Sequence, residues 1–245
     1  MVGEKVSSMD QVKALVFDVF GTVVDWRSGV AREFAAFLPA HGKAGLDPFA
    51  LADAWRKLYQ PGMEECRSGR RAFTRLDVLH RESLEQVLAA NGITGASEGD
   101  LDHLNRAWHR LDPWPDVLLG LSRLKRKYFL APLSNGNIAL LANMAKRAMI
   151  PWDAILGAEP VRAYKPQPEA YQRTAELLAL QPHEVCLVAA HNGDLRAARS
   201  AGLATAFVPR RSEHGPGQEI DLEAEDPWDC VARDFVDLAS RLNCT

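Results

Sequence analysis

The sequence predicts an α/β fold, in which a parallel sheet is covered by helices on both faces and is interrupted by an all-helical insertion. Short apolar runs alternate with stretches of helical periodicity, and this alternation is typical of parallel sheets. One long stretch between the first two runs shows helical periodicity alone. The 245 residues are 47% hydrophobic and 25% charged, which is the balance of a globular protein of one to two domains.

Four short apolar runs are the predicted strands. The first covers residues 12–17 and ends at Asp18. Three similar runs, each bounded by polar or glycine-containing turns, cover residues 129–133, 185–190 and 203–208. Runs of this length and composition are typical of strands that are buried on both faces of a sheet.

Helices are predicted between these runs, because apolar residues there recur at intervals of three and four. The residues that share a helical face are Ile138, Leu141, Met144 and Ala145, then Tyr171, Thr174, Ala175 and Leu178, and finally Leu195 and Ala198. A last helix is predicted over residues 228–242 on the same grounds. The loop before it contains Gly-Pro-Gly at residues 215–217, which interrupts regular structure.

Residues 29–112 differ from the rest of the chain, because their apolar residues follow helical spacing alone. They predict an all-helical insertion between the first two strands. Pro113 and Pro115 end the insertion, since two prolines this close together cannot both lie inside one helix. We therefore predict a core formed by residues 1–28 and 113–245 and a cap formed by residues 29–112.

Composition and charge exclude several classes of protein. The net charge of −3, from 29 basic and 32 acidic side chains, leaves no positive surplus for binding nucleic acid. No segment has the roughly 18 apolar residues of a membrane span, and the N-terminus lacks the apolar run of a secretory signal. We therefore expect a cytoplasmic protein without nucleic-acid or membrane partners. The four cysteines lie far apart, so neither a zinc site nor a disulfide framework is expected.

Polar residues that follow the predicted strands are the candidates for a functional site, because ligands of open α/β sheets bind beyond the carboxyl ends of the strands. These residues are Asp18 after the first run, Ser134 and Asn135 after the second, His191, Asn192 and Asp194 after the third, and Lys165 in a nearby loop. Each of them alone is also typical of a helix cap or a solvated charge. Together they provide an acid nucleophile, a cation, a hydroxyl and a second acid.

The order and spacing of these residues resemble the four motifs of the haloacid dehalogenase superfamily. The matching segments are Phe-Asp-Val-Phe-Gly-Thr-Val-Val-Asp at 17–25, Leu-Ser-Asn-Gly at 133–136, Tyr-Lys-Pro at 164–166, and Asp194. The motifs extend over the whole chain, and the helical insertion follows the first of them. The resemblance implies a Rossmann-like core with a mobile cap, which agrees with the periodicity.

Two positions favour a dehalogenase of this superfamily over a phosphatase. The first motif of the phosphatases resembles the pattern Asp-x-Asp, in which the second acid protonates the leaving alkoxide. This chain has Phe20 at the position of that second acid. The phosphatases also carry an acid that helps to hold magnesium four positions before the last motif acid, where this chain has Ala190. A halide leaves as a stable anion and needs no proton. The chain is similar to the L-2-haloacid dehalogenase family, whose Trp-Arg pair on a cap helix is matched by Trp55 and Arg56.

The resemblance implies hydrolysis of a short 2-halo carboxylic acid to a 2-hydroxy acid without a metal or cofactor. Asp18 attacks the carbon that bears the halogen and forms an ester, which water then hydrolyses. Arg56 and Asn135 donate to the departing halide. The other implied roles are substrate binding by Thr22, Ser134, Phe20 and Tyr59, and support of the ionised Asp18 and of hydrolysis by Lys165 and Asp194. A homodimer is expected because relatives are often dimers.

The last motif departs from the family pattern Ser-Ser-Asn-x-x-Asp, because Ala189 and His191 replace the first serine and the asparagine. A histidine can accept a proton near neutral pH, so His191 is a candidate base for the hydrolytic water. It can equally be a loop histidine that is hydrogen-bonded to its neighbours.

The sequence leaves the substrate and two other functions open. The aromatic side chains expected to line the pocket are Phe20, Trp26, Trp55 and Tyr59. Such a pocket favours short acids such as haloacetates, although these rings can also be core residues, and fluoroacetate stays open because fluoride needs strong donors. One alternative function is a phosphatase that takes its acid from His191 or Asp25. The other is a catalytically inactive protein that binds small acids.

Overall fold

A computed structural model describes residues 8–244, and its centre is a parallel β-sheet. The strands are Ala14–Phe17 (β1), Val24–Asp25 (β2), Asp112–Pro113 (β3), Phe129–Pro132 (β4), Val185–Ala189 (β5), Ala204–Phe207 (β6) and Cys230–Val231 (β7). Five of them form the central sheet in the order β4-β1-β5-β6-β7, and each neighbouring pair is parallel. The four predicted strands form inside their predicted bounds, and the predicted α/β fold is confirmed.

Helices of the core cover both faces of this sheet, and further helices form the insertion. In chain order the helices are Trp26–Ala40 (α1), Pro48–Lys57 (α2), Tyr59–Arg67 (α3), Leu76–Ala90 (α4), Glu98–Asn105 (α5), Val117–Leu124 (α6), Ile138–Ala148 (α7), Ala158–Val161 (α8), Pro168–Leu177 (α9), Asn192–Ser200 (α10) and Phe235–Arg241 (α11). On one face, α9 and α10 share an apolar cluster with Val16 and Leu187. On the other face, α6, α7 and α11 share a second cluster with Phe17 and Val188. Neighbouring residues of β1 and β5 therefore point into opposite clusters, as the pleat of a strand requires.

The register of the sheet brings the ends of three strands to one edge. Phe17, the last residue of β1, lies beside Pro132 of β4 and Val188 of β5. The chain segments that leave these strands therefore begin at one level. Asp18 leaves β1 at this edge, and its backbone N–H donates to the carbonyl of Val188 at 3.1 Å. This is the edge at which ligands of parallel sheets bind.

The C-terminal segment differs from the prediction of one helix over residues 228–242. Cys230 and Val231 form β7 and pair with β6, so this part of the segment is a strand. The helix begins only at Phe235, because the side chain of Asp234 accepts from the backbone N–H of Asp237 at 2.7 Å and caps it. Val231 is 41% exposed and matches the helical spacing by coincidence.

The predicted insertion consists of α1 to α5, followed by a 3₁₀ turn at Arg106–Arg110. The chain leaves and re-enters the core side by side, since β2 and β3 pair antiparallel with Asp25 opposite Asp112. Helix α1 begins at Trp26, three residues before the predicted boundary of the cap. The division into core and cap as two domains stays a prediction.

Two further observations concern membrane-spanning helices and cysteines. No helix within residues 8–244 combines the length and the apolar character that a membrane span requires. The four cysteines, Cys66, Cys186, Cys230 and Cys244, are all free thiols.

Candidate active site

Asp18 lies in a shielded position at the end of β1, where only 7% of the residue is exposed. Its Oδ1 accepts from the Lys165 ammonium at 2.8 Å, and its Oδ2 accepts from the Thr22 hydroxyl at 2.7 Å. Burial alone would raise the pKa of Asp18, but Lys165 and His191 outweigh burial and hold this pKa far below its ordinary value of 3.8. Asp18 is therefore a carboxylate at any physiological pH.

Lys165 connects two carboxylates. Its ammonium contacts Asp18 on one side and Asp194, in the first turn of α10, on the other. The second oxygen of Asp194 accepts from the Tyr171 hydroxyl at 2.6 Å. Burial lowers the pKa of Lys165, yet the two carboxylates raise it above its ordinary value of 10.5, so the side chain stays charged. The backbone N–H of Lys165 donates to Asn135 Oδ1 at 2.8 Å, which leaves the Asn135 Nδ2 as that side chain's remaining donor.

Both ring nitrogens of His191 face carboxylates. Nδ1 lies 3.1 Å from Asp18 Oδ2, and Nε2 lies 2.8 Å from Oε2 of Glu213. Burial would lower the pKa of His191, but the charges of Glu213 and Asp18 and its hydrogen bonds to them raise it well above the ordinary value of 6.5. His191 is therefore an imidazolium in the resting site.

Glu213 is the functional residue that the sequence analysis missed. It is 1% exposed, and its Oε1 accepts from the indole N–H of Trp26 at 2.9 Å. A Cβ atom added at Gly21, whose φ is +90°, would lie 2.1 Å from the same oxygen. The carboxylate therefore occupies space that the side chain of any other residue at position 21 would fill. Burial raises the pKa of Glu213, but His191 outweighs it and the pKa lies below its ordinary value of 4.5. No motif marks Glu213, because it enters the site from a loop far along the chain.

Arg56 lies across the cavity from these groups, on α2 of the cap. Its guanidinium stacks over the ring of Tyr59 at 4.1 Å and lies 5.2 Å from the ring of Trp26. Within residues 8–244, its buried Nη1 has no hydrogen-bond partner. A buried guanidinium N–H without an acceptor is a site for an anion.

These groups surround one cavity of about 600 Å³. Its lining residues are Asp18, Phe20, Arg56, Lys57, Tyr59, Gln60, Asn135, Lys165, Pro166, Tyr171, His191, Gly193, Asp194, Glu213, His214 and Ile220. The structure thus brings most of the predicted site residues to one place, on both the core and the cap side. This volume lies within the range of pockets that take drug-sized ligands, so volume alone does not restrict the substrate to a haloacetate.

Two predicted substrate ligands, Thr22 and Ser134, do not line the cavity, and their role in substrate binding stays a prediction. The Thr22 hydroxyl donates to Asp18 and accepts from the backbone N–H of Ala190 at 2.9 Å, so it holds Asp18 in place. The Ser134 hydroxyl accepts from the backbone N–H of Gly136 at 3.1 Å and shapes the loop after β4. The hydrogen bonds of Thr22 are therefore made within the protein, and Ser134 has one such bond, which spacing along the sequence does not reveal.

Two of the four aromatic residues expected in the pocket are core residues instead. The indole N–H of Trp55 donates to the carbonyl of His80 at 3.0 Å inside the cap. Trp26 stacks on Trp108, with ring centroids 6.1 Å apart, and holds Glu213. Only Phe20 and Tyr59 of the four line the cavity.

The arrangement does not fit the magnesium site of a superfamily phosphatase. Asp18 and Asp194 are both paired with the Lys165 ammonium, and Ala190 stands where the further acid would lie. No group of three or more His, Cys, Asp or Glu side chains within residues 8–244 is arranged to hold a metal ion. Asp25, one candidate acid of the phosphatase alternative, accepts from the backbone N–H of Ser28 and caps α1 instead of lining the cavity.

Comparison with known proteins agrees with this chemistry. A family model described as haloacid dehalogenase-like hydrolase matches residues 12–202. The (S)-2-haloacid dehalogenase 4A of Burkholderia cepacia is 30% identical over 94% of this chain and 100% of its own length.

Two solved structures are more similar. A defluorinating L-2-haloacid dehalogenase is 53% identical, with a TM-score of 0.93 over 95% of each chain. A second L-2-haloacid dehalogenase is 46% identical, with a TM-score of 0.91 over 96% of this chain and 100% of its own.

Proposed function

The chain belongs to the haloacid dehalogenase-like hydrolases, and we propose that it is a hydrolytic 2-haloacid dehalogenase, which converts short 2-halo carboxylic acids to 2-hydroxy acids and halide. One observation supports this proposal above all. A buried, ionised Asp18 faces the cavity, while Phe20, which cannot donate a proton, stands where a phosphatase would need its general acid. The reaction that needs no such acid is displacement of a halide.

In the proposed first step, an oxygen of Asp18 attacks the carbon that bears the halogen. The new oxygen–carbon bond forms as the carbon–halogen bond breaks, and the bonding electrons leave with the halide. Lys165 supports this step because its ammonium keeps Asp18 ionised. Displacement from the rear inverts the carbon centre, so an (S)-2-haloacid gives an (R)-2-hydroxy acid.

Arg56 and Asn135 are the proposed halide ligands. Arg56 offers a buried N–H without an acceptor, and Asn135 has its oxygen engaged by the Lys165 backbone and its Nδ2 left to donate. Donors already fixed toward the place where charge develops stabilise the transition state without further rearrangement. We include fluoroacetate among the proposed substrates, since the relative that is 53% identical is described as defluorinating.

The Thr22 and Ser134 hydroxyls, two of the substrate ligands implied by the resemblance, do not line the cavity, so further donors for the substrate carboxylate are taken from the residues that do. Polar side chains on the cavity wall outside the catalytic network include Lys57, Tyr59, Gln60 and His214. We propose that the substrate carboxylate binds on their side of the cavity.

In the proposed second step, water attacks the carbonyl carbon of the Asp18 ester, and His191 accepts a proton from it. Glu213 holds the far side of the imidazole through Nε2, which fixes the orientation of the ring. Lys165 and Asp194 keep the carboxyl group of residue 18 in place during hydrolysis. A cytoplasmic location and a homodimer remain proposals from the sequence and the resemblance.

The proposal is tested with purified protein in EDTA, supplied with chloroacetate, fluoroacetate and each enantiomer of 2-chloropropionate. We expect halide release without metal, selective for the (S) enantiomer, and loss of release in Asp18→Asn. A parallel assay with p-nitrophenyl phosphate and magnesium tests the phosphatase alternative. Magnesium-dependent phosphate release without halide would overturn the proposal, and absence of both products would point to an inactive binding protein.

A further inference from the structure

The position of His191 between two carboxylates fixes its protonation before any reaction begins. A neutral imidazole has one N–H and one lone pair, so one of its nitrogens would direct a lone pair at a carboxylate oxygen. Only the doubly protonated ring donates both to Asp18 at 3.1 Å and to Glu213 at 2.8 Å. The resting site therefore stores a proton on His191.

This protonation conflicts with the second step of the proposed reaction. A ring that already carries a proton on Nδ1 cannot accept another from water, and Nδ1 is the nitrogen that faces Asp18. The Nε2 proton is held by Glu213, which is buried, so Nδ1 is the nitrogen that must be vacated. The stored proton must leave after Asp18 has reacted and before water attacks.

The charged groups near His191 show what releases the proton. They are Asp18 at the end of β1, Glu213 and His214 in the loop before β7, Asp194 in the first turn of α10, Lys165 beside Asp18, and Arg56 on α2. Of these, Asp18 alone loses its charge during the proposed reaction, because an ester is neutral. The loss leaves the His191 imidazolium and the Lys165 ammonium beside a neutral ester.

We propose that esterification of Asp18 expels the stored proton from His191 Nδ1 to solvent, so that the one proton released by the overall reaction leaves in the first step. The inference rests on the proposed function. In the second step, one hydrogen of the attacking water goes to Nδ1 and the other leaves on the hydroxyl group of the product. Asp18 returns as a carboxylate and His191 as an imidazolium, so the two steps release one halide and one proton in total. Glu213 is a positioning residue, which retains the Nε2 proton throughout.

The first test is a titration of the His191 ring by ¹⁵N NMR, in wild-type protein and in Asp18→Asn, whose neutral amide has the shape of the carboxyl group. We expect the titration midpoint of His191 to fall by about 1 pH unit or more in the variant, because an adjacent opposite charge shifts a titration by that much. His103, whose side chain is 73% exposed, serves as the internal reference and should not move. Equal His191 midpoints in the two proteins would overturn the inference.

The second test counts protons during formation of the ester, with a pH indicator in weak buffer and chloroacetate as substrate. Wild-type protein is compared with His191→Asn in a single turnover by rapid mixing, and mass spectrometry identifies the ester on the Asp18 peptide. We expect the wild type to release one proton together with each halide, and His191→Asn to release halide first and its proton only as the ester is hydrolysed. Proton release that lags behind halide release equally in the two proteins would overturn the inference.

The two tests separate this inference from the proposed function. If wild-type protein releases no halide from any haloacid, the proposed function fails. If halide is released while the His191 midpoint is the same with and without the charge of Asp18, only the order of proton release is wrong. The first test needs no turnover, so it stands even if His191→Asn folds poorly.

Discussion

Substitution of Gly21 by alanine isolates the contribution of the Glu213 carboxylate to both stability and activity. The new Cβ would lie 2.1 Å from Glu213 Oε1, so the carboxylate must move away from Trp26 and His191. The matched control is Gly95→Ala, because Gly95 also has a positive φ, of +79°, but no atom lies within 4 Å of its Cβ position.

The expected destabilisation follows from these two geometries. An alanine held at positive φ costs about 1–2 kcal/mol, and this cost applies to both variants. Breaking a buried charge pair costs about 3–5 kcal/mol when one partner is removed, and a displaced partner that still finds some contact costs less. We therefore expect Gly21→Ala to lose at least about 2 kcal/mol more unfolding free energy than Gly95→Ala.

Urea unfolding at neutral pH measures this difference, and initial rates with chloroacetate measure the effect on turnover. Without its positioning carboxylate, His191 should be a poorer base, so we expect an activity loss of about 100-fold in Gly21→Ala and none in Gly95→Ala. If the two variants are equally stable, the carboxylate does not fill the space beside Gly21. If Gly21→Ala is less stable but fully active, Glu213 has a structural role only.

Three further predictions concern the halide site, the nucleophile and acid stability. Arg56→Lys should keep the charge but lose the planar donor that stacks on the neighbouring rings. We expect kcat/KM for chloroacetate to fall about 100-fold, and kcat/KM for fluoroacetate to fall further. Equal losses for the two substrates would argue against a role of Arg56 at the leaving group. Thr22→Val should slow the ester-forming step about 10-fold in rapid-quench experiments, because Asp18 Oδ2 loses one of its two donors and keeps only His191. An unchanged rate would show that Lys165 and His191 suffice to orient Asp18. Arg210 pairs with Asp116 at 2.7 Å. Burial raises the pKa of Asp116, but Arg210 outweighs burial and holds this pKa below its ordinary value of 3.8. The pair therefore stabilises the fold above pH 3.8, and this stabilisation is lost as pH falls through the lowered pKa. The difference in urea stability between wild type and Asp116→Asn should therefore be present at pH 7 and shrink below pH 3.8, and a difference that persists at low pH would contradict the linkage.

The parts of the fold that the sequence predicts are those that local patterns determine. The runs at 12–17 and 185–190 contain β1 and β5, because a strand buried on both faces must be apolar at every position. The C-terminal helix is partly wrong for the opposite reason. Val231 has the right spacing for a helix, but whether residues 230–231 pair with β6 depends on the free edge of a sheet built elsewhere in the chain.

The candidate site shows a similar division. The motifs predict which side chains gather at the strand ends, and Lys165 does lie between Asp18 and Asp194. They do not predict the direction of a hydroxyl, so the motif alone does not show that Thr22 donates to Asp18. Glu213 has no local signal at all, since its role arises from the space beside a glycine 192 positions earlier (213 − 21).

The charge balance of the site explains why a histidine at position 191 requires Glu213. Three carboxylates, of Asp18, Asp194 and Glu213, are balanced by Lys165, His191 and, across the cavity, Arg56. When the ester forms, one negative charge moves from the strand ends to the halide. A permanently charged histidine would then lose the carboxylate that faces its Nδ1, and a buried cation without its partner is disfavoured. The family's asparagine never faces this problem because it carries no charge. Glu213 resolves it here, since its pairing with Nε2 leaves Nδ1 as the nitrogen that releases a proton to solvent and later takes one from water.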